Sequence, residues 1–293
     1  MTLTYTGRVA VHLASLPDPG LLLDLRSTRI AVAELVLLAI GGGVLGTYVV
    51  LRRLAFFSHA VGSATFPALV ASQAVRISPR LAALAMALAY AAGTALAARR
   101  GRDPGGAATA LTLVACLGAG TILASDVYHS GAGVDQLLFG SAIGLGAADL
   151  LAAGAAAVLA VAAAALLGRT WTAVAFDPAG APALGIPDRR ADAVLLLVLA
   201  AAVVAALPAV GALLATSLFV VPSAIGRLFA RSVGELLVLS VALGLAQALL
   251  GLYGSIWLDV PPGPAIAVLG AGAYAVAALA RAVPRVQRAE AVA

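Results

Sequence analysis

The sequence predicts an all-helical protein that crosses a membrane many times. Hydrophobic residues make up 62% and charged residues 11% of the 293-residue chain, whose mean hydropathy is +1.06. A soluble domain carries about 25% charged residues, so most of this chain's surface has to face lipid or other apolar helices. Apolar stretches such as 151–168 and 192–207 lack the alternation of a membrane β-strand. Their length is close to the roughly 20 residues that a spanning helix needs.

Nine apolar segments are predicted as helices, within a range of eight to ten spans. They cover residues 30–51, 55–75, 80–98, 107–125, 146–168, 191–208, 209–230, 235–256 and 263–282. Leu207-Pro208, between the sixth and seventh segments, predicts a tight turn or a kink because proline lacks a backbone N–H. The segments define one transmembrane domain over 30–283, between an extracytoplasmic segment at 1–29 and a cytoplasmic tail at 284–293.

The basic residues indicate the orientation of the chain and exclude one kind of chemistry. All 18 are arginine, and with the N-terminus outside, the inner loops and the C-terminal tail hold most of them, as the positive-inside rule requires. We therefore interpret the net charge of +5 as a record of topology and not as a sign of nucleic-acid binding. A Walker A loop needs a lysine for the phosphates, so this chain cannot hydrolyse ATP by that route and is not expected to be an enzyme.

Two loops are longer than simple turns: 126–146 on the predicted outer side and 169–190 on the inner side. The inner loop contains the sequence FDPAGAPALGIP at 176–187. Asp177 can cap a helix whose first residue is Pro178, and Gly185 can end it. This pattern predicts a short surface helix of under three turns; an ordinary ordered loop is the alternative.

Five segments in order resemble one family, the membrane permeases of ATP-binding-cassette (ABC) importers for zinc, manganese or iron. They are VVLRRLAFFSHAVGSATFPALV (49–70), DQLLFGSAIGL (135–145), FDPAGAPALGIP (176–187), AVGALLATSLFVVPSAIGRLFA (209–230) and LDVPPGPAIAVLG (258–270). The resemblance runs from about residue 30 to 280. It implies a type II ABC importer-like permease fold in the cytoplasmic membrane of a bacterium.

The resemblance also implies the assembly in which this chain works. The permease would be a homodimer with the transport path at its interface, two cytoplasmic ATPase subunits and an extracytoplasmic metal-binding protein. ATP would bind the partner subunits, and the metal would be cargo and not a permanent cofactor. The segment 177–186 would dock on the ATPase through Asp177, Ala183, Leu184 and Gly185.

The second predicted helix departs from the family's metal-binding pattern. The family pattern after the arginine turn is Gly-Asp-x-x-Ser-His-Ala-x-x-Pro, whose Asp and His face the path. An ungapped alignment on Arg53 and Pro67 places the Asp position on His59 and the His position on Ser63. One hypothesis is a site rebuilt around His59, with Ser63, Thr65 or residues of other helices completing it. Another is an altered substrate or weak binding during passage. The structural alternative is a histidine that bonds a carbonyl of a neighbouring helix.

Other ionisable residues are predicted at the outer mouth. Glu34 could guide cations into the path or simply lie at the lipid headgroups. Asp126 and His129 could hold a cation for a short time, and Asp135 could help to dock the binding protein, although all three also fit an ordinary polar loop.

Two function classes besides an ABC permease remain open. One is a secondary carrier that works without ATP, against which the coupling-like segment argues. The other is a non-transporting membrane scaffold, which the altered pattern at His59 keeps possible.

Overall fold

The structure is a computed structural model that describes residues 26–99, 107–127, 138–141, 144–186 and 188–290. Nine α-helices run through these residues and are numbered here in chain order. They are α1 (Arg26–Leu51), α2 (Ala55–Val75), α3 (Pro79–Arg99), α4 (Ala107–Val127), α5 (Ala147–Phe176), α6 (Asp188–Val210), α7 (Ala215–Phe229), α8 (Val233–Leu258) and α9 (Pro262–Glu290). Helix ends on the predicted cytoplasmic side are called inner ends below, and those on the opposite side are called outer ends.

Each predicted apolar segment corresponds to one of these helices, but several boundaries were predicted wrongly. The helix α7 begins at Ala215 and not at residue 209, and α9 ends at Glu290 and not at residue 282. The helix α5 continues to Phe176 and not to residue 168. The helix α6 passes through Pro208 and ends at Val210. Gly211, with a φ of +87°, ends it instead, because the left-handed backbone conformation stops a helix and glycine adopts it without a steric penalty. Its N–H donates to the carbonyl of Leu207 at 2.8 Å.

Six of the helices are long and apolar enough to cross a bilayer: α1, α3, α5, α6, α8 and α9. The helices α4 and α7 contain shorter apolar stretches, Thr109–Ser125 and Ala215–Phe229. The helix α2 does not reach the same apolarity because it carries several serines, a threonine and His59. The prediction of an all-helical, multi-pass membrane protein is therefore confirmed for the described residues, while a count of nine spans stays a prediction.

The helix α1 lies at the centre of the bundle and packs against α5, α7 and α8. Its glycines make this possible, because a Cβ at Gly43 would overlap the backbone of Val241, and one at Gly46 would overlap the carbonyl of Phe219. Small residues at such contacts let helix backbones approach closely in membranes. The helix α2 packs against α3 and α4, α6 against α3 and α5, and α9 against α7 and α8. The central position of α1 therefore buries the polar side chains further along the helix, Glu34 and Thr47.

A break in the helices lies inside the bundle and not at its surface. The residues between α6 and α7 pair with the short segment 138–141: Leu213 N–H donates to Leu138 O at 3.2 Å, and Ser141 N–H donates to Pro208 O at 3.0 Å. The segment turns at Gly140, whose φ is +75° and where a Cβ would overlap the backbone of Ala209. Irregular backbone at membrane depth is tolerated only where protein or a cavity surrounds it, and here two broken segments satisfy each other.

The length of α7 is consistent with a break at membrane depth. Its 15 residues extend about 22 Å at 1.5 Å per residue, less than the roughly 30 Å of a bilayer core. A Cβ at Gly62, in the inner half of α2, would overlap the carbonyl oxygen of Ala212. The break therefore contacts the middle of α2, close to Ser63.

Candidate functional site

The inner half of α2 carries the two residues that the sequence predicted for the transport path. His59 lies in the second turn of the helix and is half-buried, and Ser63 follows one turn later and is fully buried. Spacing of four residues puts both on one face of the helix. The Oγ of Ser63 has no hydrogen-bond partner in the described part of the chain.

Within the described residues, no group of three or more His, Cys, Asp and Glu side chains could hold a metal ion. Imidazole suits zinc, iron, copper and nickel, so His59 is a competent ligand, whereas Ser63 is a weak one. The described part of one chain therefore offers a single strong ligand at this position. A cation that passes here would be held loosely unless a second copy adds its own His59.

The outer end of the bundle contains a buried acidic residue whose surroundings the sequence did not predict. Glu34 on α1 is 0% exposed, so it does not lie at the lipid headgroups, and neither oxygen of its carboxylate has a hydrogen-bond partner among the described residues. It interacts electrostatically with Asp149 and Arg80. Ionisable side chains inside a membrane protein are costly and commonly functional.

Asp149 and Arg80 form an ion pair next to Glu34. The Arg80 guanidinium on α3 donates to Oδ1 of Asp149, while the other carboxylate oxygen, Oδ2, accepts from the N–H of Gly146 at 2.9 Å. Asp149 thereby caps the first turn of α5, where the helix dipole favours a negative charge. The Arg80 side chain is 47% exposed and that of Asp149 only 8%. The arginine therefore reaches the pair from an open space, and the aspartate is fixed in the protein.

That open space consists of two adjoining cavities of about 560 and 250 Å³. Both are lined by Arg80, Asp149, Val204 and Pro208. The larger one adds polar groups from Ser78 and from Ser141 in the broken segment. The ion pair thus lies on the wall of a cavity at the outer end of the bundle.

A second ion pair joins helices at the inner end. Arg52, just after α1, donates to Oδ2 of Asp192 on α6 at 2.6 Å. Beside it, the buried Trp171 of α5 donates from Nε1 to the carbonyl of Ala191 at 2.8 Å and contacts the edge of Tyr48, with ring centroids 4.9 Å apart. These contacts connect α1, α5 and α6 where they face the predicted cytoplasm.

Sequence reasoning did not predict either ion pair. One signal could have suggested them, because the arginine-based orientation places Arg80 and Asp149 together at outer helix ends, and Arg52 and Asp192 together at inner helix ends. Sequence position cannot say which helices are neighbours, so the pairing itself required the structure.

The inner segment after α5 forms a compact turn and not the predicted helix of under three turns. Oδ1 of Asp177 accepts from the N–H of Gly180 at 2.8 Å, which is the capping contact that was predicted. Only one 3₁₀ turn follows, at Pro182–Leu184, and Gly185 with a φ of +72° ends it. Because α5 already runs to Phe176, Asp177 also stands at the C-terminus of that helix.

This turn presents apolar side chains to its surroundings. Leu184 is 78% and Phe176 is 69% exposed, and Ala183 is exposed beside them. Backbone hydrogen bonds from Leu184 N–H to Gly180 O and from Ile186 N–H to Ala181 O keep the turn ordered. Exposed apolar groups on an ordered turn form a surface suited to a protein partner.

Three residues predicted at the outer mouth cannot be placed. His129 and Asp135 lie outside the described residues, and of Asp126 only the backbone, at the end of α4, is described.

The fold and the site together define a polytopic, helical membrane protein with a break inside its bundle and a buried acidic residue at the outer end. The family model of the ABC 3 transport family matches residues 25–281. The chain belongs to this family, as the resemblance of its five segments predicted.

Relatives and a solved structure agree with this assignment. The manganese transport system membrane protein MntC of Halalkalibacterium halodurans is 25% identical over 247 residues, which are 84% of this chain and 85% of the relative. The chelated iron transport system membrane protein YfeC of Yersinia pestis is 29% identical over 136 residues, or 46% of each chain. The structure of PsaBC from Streptococcus pneumoniae in complex with Fab matches with a TM-score of 0.76 and 21% identity, over 92% of this chain and 95% of that one. This structural match supports the same fold.

Proposed function

We propose that this chain is the membrane-spanning permease of an ABC importer that moves a divalent transition-metal cation across the cytoplasmic membrane of a bacterium. The observation that carries the proposal is the match of the family model over residues 25–281, nearly the whole described chain. Relatives named for manganese and for chelated iron transport favour manganese or iron as cargo, with zinc as the third candidate.

A separate ATPase would supply the energy. The chain contains no lysine, which a Walker A loop needs, and it presents the ordered turn at 177–186 on its inner side. We propose that two ATPase subunits dock on this turn in a homodimer of permeases, with Leu184 and Ala183 in a groove of the partner. Asp177 and Gly185 would act by holding the turn in shape. An extracytoplasmic metal-binding protein would deliver the cargo to the outer face.

The cargo path would pass His59 and Ser63. The two are on one face of α2, the buried hydroxyl of Ser63 has no hydrogen-bond partner among the described residues, and the neighbouring Gly62 touches the break between α6 and α7. A homodimer would contribute two such imidazoles. A single strong ligand per chain suits passage better than storage, because a cation that is bound by many ligands leaves slowly.

The outer residues would act before this point. Glu34 is buried next to an ion pair at the wall of an outer cavity, so it would act within the protein and not at its surface. Asp126 and His129 remain proposed for transient contacts with the cation, and Asp135 for docking the binding protein.

The test is metal uptake by proteoliposomes that contain the permease, with and without a candidate ATPase subunit and a candidate metal-binding protein from the same organism. We expect uptake of radiolabelled manganese, iron or zinc only when the ATPase and ATP are both present. Equally fast uptake by the permease alone would reject the proposal in favour of a secondary carrier.

A further inference from the structure

The outer cluster Glu34, Arg80 and Asp149 contains more acidic than basic groups among the described residues. Two carboxylates face one guanidinium, and the only hydrogen bonds described within the cluster go to Asp149. Glu34 is fully buried with both carboxylate oxygens unpaired among the described residues. An unpaired buried carboxylate costs several kcal/mol unless a cation or a hydrogen-bond donor compensates it.

Helix packing brings the two carboxylates to the same level. A Cβ at Gly41 would lie 3.0 Å from Cα of Ala157, and one at Gly154 would lie 3.7 Å from a methyl carbon of Leu37. The helices α1 and α5 therefore run side by side in the same direction. Glu34, one turn before Leu37, lies level with the first turn of α5 and its Asp149, which agrees with the electrostatic interaction between the two.

We propose that Glu34 and Asp149 form a divalent-cation site at the outer end of the bundle. When no divalent cation is bound, the guanidinium of Arg80 occupies the position of the cation. This inference rests on the proposed transport function. It adds a cation-binding site earlier on the transport path, separate from His59 and Ser63. Oxygen ligands favour a hard cation such as Mn²⁺ over the softer metals that imidazole prefers.

The geometry allows the exchange of one cation for another. The Arg80 side chain is about half exposed and borders the larger cavity, so the guanidinium can leave Asp149 and remain in a polar space. Asp149 stays in place because its Oδ2 is held by the Gly146 N–H, and its Oδ1 then becomes free. A divalent ion between the two carboxylates balances both negative charges, whereas the guanidinium balances only one.

The experiment measures Mn²⁺ binding to the purified permease in lipid nanodiscs by electron paramagnetic resonance, which reports free Mn²⁺. His59→Ala is included in every variant so that the proposed path site does not contribute. The Arg80→Gln variant should bind Mn²⁺ at least about tenfold more tightly than the protein that carries His59→Ala alone, because the charge-assisted hydrogen bond that competes with the cation is gone. Adding Glu34→Gln or Asp149→Asn to that variant should abolish the gain.

Arg76→Gln is the matched control, because Arg76 is exposed at the same outer end and ends α2; it should leave binding unchanged. An equal gain in Arg76→Gln, or a gain in Arg80→Gln that survives Glu34→Gln or Asp149→Asn, would overturn the site. If Arg80→Gln does not fold, the comparison of His59→Ala with His59→Ala/Glu34→Gln decides. Weaker Mn²⁺ binding in the second variant supports the site, and equal binding refutes it. These measurements need no ATPase, so failure of ATP-driven uptake and failure of this site are separate results.

Discussion

Replacing Leu184 by aspartate should weaken docking of the proposed ATPase subunit on the permease without unfolding the permease. Leu184 is 78% exposed on the inner turn, so only about a fifth of the 1.5–3 kcal/mol gained by burying a leucine is present in the isolated chain. We therefore expect a loss of roughly 0.3–0.7 kcal/mol in its free energy of unfolding. The melting temperature of the variant should stay close to that of the unaltered protein.

The cost of the same change to docking is larger. If an ATPase groove covers the exposed part of the side chain, its removal loses roughly 1.2–2.3 kcal/mol, and the dissociation constant rises about 7- to 45-fold. A carboxylate buried in an apolar groove adds a desolvation penalty. Leu184→Asn should show the loss of apolar contact without the charge, and Ala183→Asp should act like Leu184→Asp.

The assay is binding of the purified ATPase to permease in nanodiscs, together with transport-linked ATP hydrolysis. Val260→Asp is the matched control, because Val260 is an apolar residue that is 38% exposed in the turn at the opposite, outer end. Normal ATPase binding and normal transport-linked hydrolysis in Leu184→Asp would refute the assignment of this turn as the docking surface.

Three further predictions concern the path and the fold. His59→Ala should lower metal uptake while the complex with the ATPase still assembles, and unchanged uptake kinetics would remove His59 from the path. Gly140→Ala should lower the free energy of unfolding by at least about 1–2 kcal/mol, the cost of a left-handed backbone for a residue with a Cβ. Overlap of the new Cβ with Ala209 should add to this loss. The control is Gly93→Ala, where space is open, and equal thermal unfolding of the two variants would contradict the reasoning. Trp171→Phe should cost about 0.5–1.5 kcal/mol because the bond from its Nε1 to the carbonyl of Ala191 is lost, and an unchanged melting temperature would argue against that bond.

Hydropathy was sufficient to locate the helices because lipid leaves few alternatives. A segment that crosses a bilayer has to satisfy its own backbone hydrogen bonds, so each apolar run near 20 residues corresponds to one helix in the structure. Boundaries were wrong where a local signal was overvalued. Leu207-Pro208 predicts a tight turn or a kink, but a proline near the C-terminus removes only one hydrogen bond, and the helix ends where Gly211 takes a positive φ.

The candidate site was only partly predictable. His59 and Ser63 could be placed on one helical face from their spacing, and the Asp177 cap followed from its sequence context. The burial of Glu34 could not be predicted in this way. Its burial depends on the glycines of α1, which allow α7 and α8 to pack closely against that helix.

The sequence by itself determined that this is an arginine-rich, many-helix membrane protein of the ABC 3 transport family, because composition and ordered motifs are properties of the chain alone. Only the tertiary structure decided which charges meet. Arg80 and Asp149 are 69 residues apart in sequence, and Arg52 and Asp192 are 140 apart. Their pairing depends on how helices pack, which no local pattern encodes.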